Sequence, residues 1–156
     1  MHQRWKPERC QAGRGLSLCR RRRAVNRVCF ADSGGFYALS SERDRRHASA
    51  IARLADFSTI VTTQLVVIET VSLLTKRLSP FHARHWYHRL KHSPGVEIRD
   101  YATEVFLEAE NLWQSHRDKE WDLIDCYSFR VMRRESIRVA LAFDEHFRQA
   151  GFEIVE

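Results

Sequence analysis

Short apolar runs alternate with helical patterns from Arg27 to the end of the chain. A short apolar run bounded by turn residues is typical of a buried strand, and apolar residues spaced three and four apart predict a helix. The predicted strands are Val28–Ala31, Thr59–Thr62, Val96–Ile98, Val139–Phe143 and Phe152–Val155. Because these strands alternate with helical patterns, the sequence predicts an α/β domain with a central, mainly parallel sheet.

The predicted helices fall between these strands. Ser33-Gly34-Gly35 is predicted to form a turn after the first strand, and Asp44 to cap a helix. The longest pattern places Leu65, Ile68, Ser72, Thr75 and Leu78 on one stripe, widened by neighbouring Val and Leu residues, which predicts a helix buried on most sides. Further helices are predicted from Ser79-Pro80 to Ser93, over residues 103–115 and after Asp122.

Positive charge is concentrated at the start of the chain. Residues 1–27 hold nine cations and one anion, a net charge of +8, whereas the other 129 residues hold 17 cations and 19 anions, a net charge of −2. Residues 1–26 lack hydrophobic periodicity and are predicted to be a basic, disordered extension outside a folded domain at 27–156. They are interpreted either as an RNA-binding tail or as a segment outside the functional unit.

Cysteine usage and hydropathy favour a cytoplasmic protein. The four cysteines form no C-x2-C pair, so a zinc site or a disulfide framework is not expected. The basic start leads into no apolar export signal, and the most apolar stretch, 60–78, is broken by polar residues. We therefore expect no membrane partner.

Four carboxylates, Asp32, Glu69, Asp125 and Asp144, occupy positions suited to chemistry. Asp32 and Asp144 directly follow apolar strands, and ligands of parallel sheets bind outside the carboxyl ends of the strands. Glu69 interrupts an apolar helical run, where an unpaired carboxylate is costly to bury. Since clustered carboxylates repel one another unless a cation lies among them, Mg²⁺ or Mn²⁺ is the expected cofactor. Such a metal site can hydrolyse phosphodiesters.

The residues alone leave structural alternatives open for three of these positions. Asp32 has the position of a turn residue at a strand end, and Asp144 that of a helix cap. Asp122 and Asp125 have the N-cap and N3 spacing that stabilises any helix start. Glu69 is the one that favours the functional interpretation.

Four segments carry a motif pattern in a fixed order. The first, 28–39, joins an apolar strand to Asp32, Ser33 and two glycines, and the second, third and fourth contain Glu69, Asp125 and Asp144. Together the segments, Val28–Leu39, Thr62–Thr70, Trp121–Phe129 and Ala140–Phe147 with Gly151-Phe152, resemble the motifs of the PIN-domain family. Ser33 stands where the family more often has Thr. Gly35 stands where Ala is more common, which loosens the helix start slightly.

The resemblance extends over about residues 27–156 and is nearest to the VapC toxins of bacterial type II toxin–antitoxin pairs. It implies a three-layer α/β fold, a homodimer and a Mg²⁺- or Mn²⁺-dependent endoribonuclease held inactive by a cognate antitoxin. The residues that it assigns to catalysis and to metal binding are Asp32, Glu69 and Asp125, with Asp144 as the fourth and most variable member.

Polar residues near these carboxylates are candidates for contacting RNA. They are Ser33, Lys76, Arg77, Arg130, Arg133 and Arg134. Four histidines, His82, His85, His88 and His92, lie near one face of the helix predicted from Ser79-Pro80. They are interpreted as a solvated polar face rather than a metal stripe.

Two other functions compete with the toxin. One is a housekeeping RNA-processing nuclease with the same site and no antitoxin, and the other is a catalytically silent nucleic-acid-binding module. Intact Asp32, Glu69 and Asp125 argue against the silent module. A small antitoxin gene in the adjacent reading frame would separate the two nucleases.

Overall fold

The computed structural model describes residues 27–155 as one parallel sheet with seven helices. The strands are β1 (Val28–Ala31), β2 (Thr59–Thr63), β3 (Val96–Arg99), β4 (Val139–Leu141) and β5 (Glu153–Ile154). The helices are α1 (Ser33–Ser40), α2 (His47–Leu54), α3 (Gln64–Arg77), α4 (Pro80–Lys91), α5 (Thr103–Ser115), α6 (Leu123–Arg134) and α7 (Glu145–Gln149). The α/β prediction is confirmed. The predicted disordered extension, 1–26, lies outside the described residues.

The strand order places a crevice between β1 and β4. The order is β3-β2-β1-β4-β5, and every pair of neighbours is parallel. Strands β2 and β3 lie on one side of β1. The chain then crosses to the other side of β1, where β4 and β5 lie. The carboxyl ends of β1 and β4 therefore form a topological switch point, the usual ligand position in an open α/β sheet. Asp32 follows β1 directly, and Asp144 follows β4 by three residues.

The prediction of a turn at Ser33-Gly34-Gly35 is wrong. These residues form the first turn of α1, and Asp32 is its N-cap, with Oδ2 accepting a hydrogen bond from Gly34 N at 3.3 Å. Glycine is needed at position 35, because a Cβ there would lie 2.2 Å from the carbonyl oxygen of Leu141. The glycines thus mark a close approach of α1 to β4 rather than a break in the chain.

The predicted cap of α2 is also wrong. Asp44 accepts a hydrogen bond from Arg46 N at 2.8 Å, in a turn that precedes the helix. The helix begins at His47, and Arg46 at its N-cap makes no side-chain capping bond. An Asp that closes a local Asx-type turn has the same sequence signature as an N-cap.

α3 buries a different face from the predicted one. Its buried residues are Val66, Val67, Thr70 and Leu74, whereas Ile68 on the predicted stripe is 63% exposed. Because every face of this helix carries apolar residues, periodicity could not decide which face packs against α1 and β2. Glu69 consequently lies at the border of the buried face and is only half-buried.

Aromatic packing fixes α7 to the sheet. The fully buried ring of Phe147 lies 6.1 Å from that of Phe30 on β1 and 5.0 Å from that of Phe129 on α6, the second pair being perpendicular. Edge-to-face contacts of this kind add to the burial of the rings. Residues adjacent to Phe147 are thereby held at the carboxyl end of β1. Among residues 27–155, no helix is long and apolar enough to cross a bilayer.

Candidate metal centre

Three aspartates of the site lie at helix N-termini. Asp32 caps α1, Asp144 caps α7 by accepting from His146 N at 3.0 Å, and Asp125 is the N3 residue of α6. Asp125 and Asp122 form a reciprocal capping box, with bonds of 2.7 and 3.1 Å. Helix N-termini favour negative charge, which explains how the fold tolerates three carboxylates here. The structural and the functional interpretations of these residues are therefore compatible.

Glu69 reaches the same cluster from α3. Its carboxylate accepts a hydrogen bond from the Ser33 hydroxyl, and the charges of Asp122 and Asp144 act on it. Ser33 itself is buried at the start of α1. The structure thus brings together Asp32, Glu69, Asp125 and Asp144, which the sequence spreads over 113 positions. Their roles in catalysis and metal binding stay a prediction.

Burial and mutual repulsion make ionisation of the clustered carboxylates unfavourable. Burial, with the nearby charges of Glu69, Asp144 and Asp125, raises the pKa of Asp32 to about 7, despite a hydrogen bond from the Ser33 backbone. Burial and the Asp122 charge raise the pKa of Asp125 to about 6, and burial also raises the pKa of Glu69. A cation among these groups would relieve both the repulsion and the burial of uncompensated charge.

His146 is a member of the cluster that the sequence analysis missed. Its Nδ1 lies 2.7 Å from Oδ2 of Asp125. Burial lowers the pKa of His146, but the hydrogen bond to Asp125 and the charges of Asp125, Asp144 and Asp122 outweigh burial, so its pKa is raised. The only sequence signal was its position two residues after Asp144, within the closing motif. The contact with α6 spans 21 residues and could not be read from spacing.

The donor set fits a hard divalent cation. In the part of the chain that the structure describes, one set of three potential metal-binding residues has its ligand atoms within 4.8 Å of one another: Asp125, Asp144 and His146. Asp32 and Glu69 add two more carboxylates to the surroundings of this set. Carboxylate oxygens are the ligands that Mg²⁺ and Mn²⁺ prefer. The residues present therefore suit the predicted metal.

The candidate RNA-contacting arginines of α6 lie at different distances from Asp125 along the helix. Helical rise puts Arg130 about 8 Å from Asp125 along α6, and Arg133 and Arg134 about 12 to 14 Å from it. Arg133 donates to the carbonyl of Ala150, and Arg134 pairs with Glu108 at 2.6 Å. Nε of Arg130, by contrast, is buried without a hydrogen-bond partner. Of these three, Arg130 is the nearest to Asp125 along the helix axis.

Two further groups lie on the helices that precede β3. Lys76 and Arg77 are exposed in the last turn of α3, with Arg77 over the ring of Tyr37 at 5.7 Å. The histidines of α4 are all exposed, and the rings of His88 and His92 stack with centroids 4.4 Å apart. Within residues 27–155, they do not form a set of three converging ligands.

We expect the metal-free protein to lose stability as the pH rises from 5 to 8. In the folded state Asp32 and Asp125 have pKa values of about 7 and 6, both above the ordinary value of 3.8 that applies when unfolded. The folded state therefore binds more protons over this range, and deprotonation weakens it. The raised pKa of His146 acts in the same direction. At about 1.4 kcal/mol per pH unit between two pKa values, the free energy of unfolding should fall by about 2–4 kcal/mol.

Urea unfolding in EDTA at pH 5 and pH 8 measures this loss. Mg²⁺ added at pH 8 should restore much of the stability, since a bound cation compensates the carboxylates. Asp32→Asn is the control, because it removes the most strongly shifted group and should flatten the profile. A metal-free protein that is more stable at pH 8 than at pH 5 would contradict the electrostatic account.

Comparisons with known proteins agree with this geometry. The sequence model of the PIN domain family matches residues 29–153. The 23S rRNA-specific endonuclease VapC20 of Mycobacterium tuberculosis, from the strains CDC 1551 / Oshkosh and ATCC 25618 / H37Rv, is 31% identical over 126 residues. The match covers 80% of this chain and 95% of VapC20.

Solved structures show the same fold. The crystal structure of M. tuberculosis VapC20, described as a sarcin–ricin loop cleaving toxin, matches with a TM-score of 0.75 and 28% identity, over 80% of this chain and 95% of VapC20. FitAcB from Neisseria gonorrhoeae matches with a TM-score of 0.58 and 14% identity, over 83% of this chain and 96% of its own. At that identity FitAcB supports the fold alone.

Proposed function

The chain belongs to the PIN domain family, and we propose that it is a divalent-metal-dependent endoribonuclease, the toxin of a type II toxin–antitoxin pair that acts in the cytoplasm. One observation carries the proposal. Four carboxylates from α3, α6 and the ends of β1 and β4 meet at the switch point of the sheet, with the pKa values of three of them raised. Helix capping accounts for the positions of Asp32, Asp125 and Asp144 one by one, but not for the meeting of four carboxylates at one point.

The proposed mechanism places a metal ion among the four carboxylates. Asp32, Glu69, Asp125 and Asp144 would hold the metal, Mg²⁺ or Mn²⁺. When bound, such an ion orients a phosphodiester and lowers the pKa of a water molecule that attacks it. The chain supplies the orientation: backbone N–H groups of α1 hold Asp32, and the Ser33 hydroxyl holds Glu69. Asp125 is fixed by the capping box of α6.

RNA is the proposed substrate because VapC20 is described as a 23S rRNA-specific endonuclease and covers most of this chain. Ribosomal RNA is accordingly the first substrate to test. Arg130, the nearest of the three α6 arginines to Asp125 along the helix, is proposed to contact a phosphate beside the cleaved bond, and Lys76 and Arg77 a more distant part of the strand.

The direct test incubates the purified protein with total bacterial RNA in Mg²⁺, in Mn²⁺ and in excess EDTA. Discrete cleavage that requires a divalent ion, with the products mapped by primer extension, is the expected result. Cleavage that continues undiminished in EDTA would exclude the metal site. An absence of cleavage in either metal, by protein that is folded and binds the ion, would favour the silent binding module.

A protein partner is proposed for the surface between α3 and α4. Ile68 and Phe81 are 63% and 73% exposed, and an apolar groove of about 390 Å³ lies between the two helices. The groove is lined by Val71, Thr75, Pro80, Ala83, Arg84 and Tyr87. Apolar side chains exposed in this way are typical of surfaces that other proteins cover. We propose the cognate antitoxin as the partner that covers this surface, and a homodimer as the state of the free toxin.

Growth of a bacterial host distinguishes the toxin from a housekeeping nuclease. Production of the chain alone should arrest growth, and joint production with the small protein encoded in the neighbouring frame should restore it. The two proteins should co-purify, and light scattering on the purified toxin should give the mass of a dimer. Harmless production of protein that cuts RNA in vitro would instead identify the housekeeping nuclease.

A further inference from the structure

His146 contacts two of the clustered aspartates with different atoms. Its ring Nδ1 lies 2.7 Å from Oδ2 of Asp125, and its backbone N donates to Oδ1 of Asp144 at 3.0 Å. Asp125 belongs to α6 and Asp144 to the N-terminus of α7, so one residue links carboxylates from two separate elements. Neither the capping box nor the cap of α7 requires the imidazole ring.

The ring contact restricts one oxygen of Asp125. Oδ2 accepts from Asp122 N at 3.1 Å as well as from the His146 ring, so both hydrogen bonds fall on the same oxygen. This leaves Oδ1 available as a metal ligand in a carboxylate whose rotation is blocked. Hydrogen bonds that orient a ligand in this way increase the affinity of metal sites.

The neighbouring residue keeps the ring in place. Phe147 is fully buried between Phe30 and Phe129, which anchors the short helix α7 against the sheet. The side chain of His146 is 26% exposed, so a substitution there also removes buried surface. Thermal unfolding of each variant therefore separates an effect on the site from an effect on the fold.

We propose that His146 is a positioning residue, whose Nδ1–H fixes Asp125 in the orientation that binds the divalent ion. The inference rests on the proposed metal site and deepens it. The alternative is an imidazole that ligates the ion directly, since its ligand atom lies within 4.8 Å of those of Asp125 and Asp144. Positioning is favoured, because Mg²⁺ and Mn²⁺ prefer oxygen ligands, whereas ligation would have to use the remaining ring nitrogen, Nε2, since Nδ1 contacts Asp125.

Two amide substitutions distinguish the role of Nδ1 from that of Nε2. In His146→Asn the side-chain nitrogen comes near the position of Nδ1, whereas in His146→Gln it comes near that of Nε2. Both variants keep the backbone N–H that caps α7, and His146→Ala removes both ring nitrogens. Mn²⁺ is titrated into the metal-free full-length proteins, and the EPR signal of unbound Mn²⁺ gives the dissociation constant without RNA. Thermal unfolding in EDTA verifies that each variant is folded.

His146→Ala and His146→Gln should bind Mn²⁺ about tenfold or more weakly, and His146→Asn within about threefold of the wild type. Equal affinity in all variants, wild-type affinity in His146→Gln, or an affinity in His146→Asn as low as in His146→Ala would overturn the inference. If His146→Gln does not fold, the comparison of Asn with Ala decides. RNA cleavage is measured in parallel. A wild type that binds Mn²⁺ without cutting RNA contradicts the proposed function alone, and normal cleavage with equal affinities contradicts this inference alone.

Discussion

Asp32→Asn should lower the rate of RNA cleavage by at least about a thousandfold and leave the fold intact. The change removes the most buried charge of the cluster, and with it several kcal/mol of the metal's contribution to the reaction. Asparagine is as good an N-cap as aspartate, so α1 keeps its first turn and its bond to Gly34. Because a buried carboxylate with a pKa of about 7 is lost, the metal-free variant should also be more stable than the wild type at pH 8.

Asp44→Asn is the matched control for this variant. Asp44 also accepts a backbone hydrogen bond in a turn before a helix, but it lies outside the carboxylate cluster. Cleavage should remain at the wild-type rate in this control, and circular dichroism should show both variants folded. An Asp32→Asn protein that cuts RNA as fast as the wild type would remove Asp32 from the mechanism. Glu69→Gln and Asp125→Asn are expected to abolish cleavage for the same reason.

Gly35→Ala should destabilise the protein by about 3 kcal/mol, near the upper end of the usual cost of overpacking. A Cβ at this position would lie 2.2 Å from the Leu141 carbonyl oxygen and 3.1 Å from its carbon, so the backbones of α1 and β4 must separate. The separation would also strain the bond from Asp32 N to the same carbonyl oxygen, which is 3.2 Å long. Activity should fall together with stability, since Asp32 is positioned by this contact.

Gly34→Ala distinguishes this clash from helix propensity. Its Cβ would meet only Oδ2 of Asp32 at 3.7 Å, an ordinary contact. Alanine is the better helix former by about 1 kcal/mol, so Gly34→Ala should be neutral or stabilising. Urea unfolding of both variants measures the difference. A Gly35→Ala protein as stable as Gly34→Ala would show that α1 does not approach β4 as closely as described.

The sequence predicted those features that depend on residues close together along the chain. Parallel strands are buried on both faces, so β1 and β4 appear as continuous apolar runs, and a carboxylate after such a run is visible by inspection. The capping box of Asp122 and Asp125 was predictable for a similar reason, because it depends on residues only three positions apart.

Features that depend on tertiary contact could not be predicted in this way. The glycines after Asp32 have the pattern of a turn, and only the position of Leu141 explains why Gly35 lies inside a helix. α3 is apolar on several sides, so its buried face depends on which elements surround it. His146 meets Asp125 across 21 residues, and that contact exists only when α7 packs beside α6.

The most direct measurement is the anomalous difference density of Mn²⁺ in crystals of the protein grown or soaked at pH 7.5 to 8. The account predicts a peak at the switch point between β1 and β4, within about 2.2 Å of carboxylate oxygens that include those of Asp32 and Asp125. Crystals of Asp32→Asn under the same conditions should show a weaker peak or none. A wild-type protein with no peak among the four carboxylates, at a Mn²⁺ concentration that supports RNA cleavage, would contradict the account.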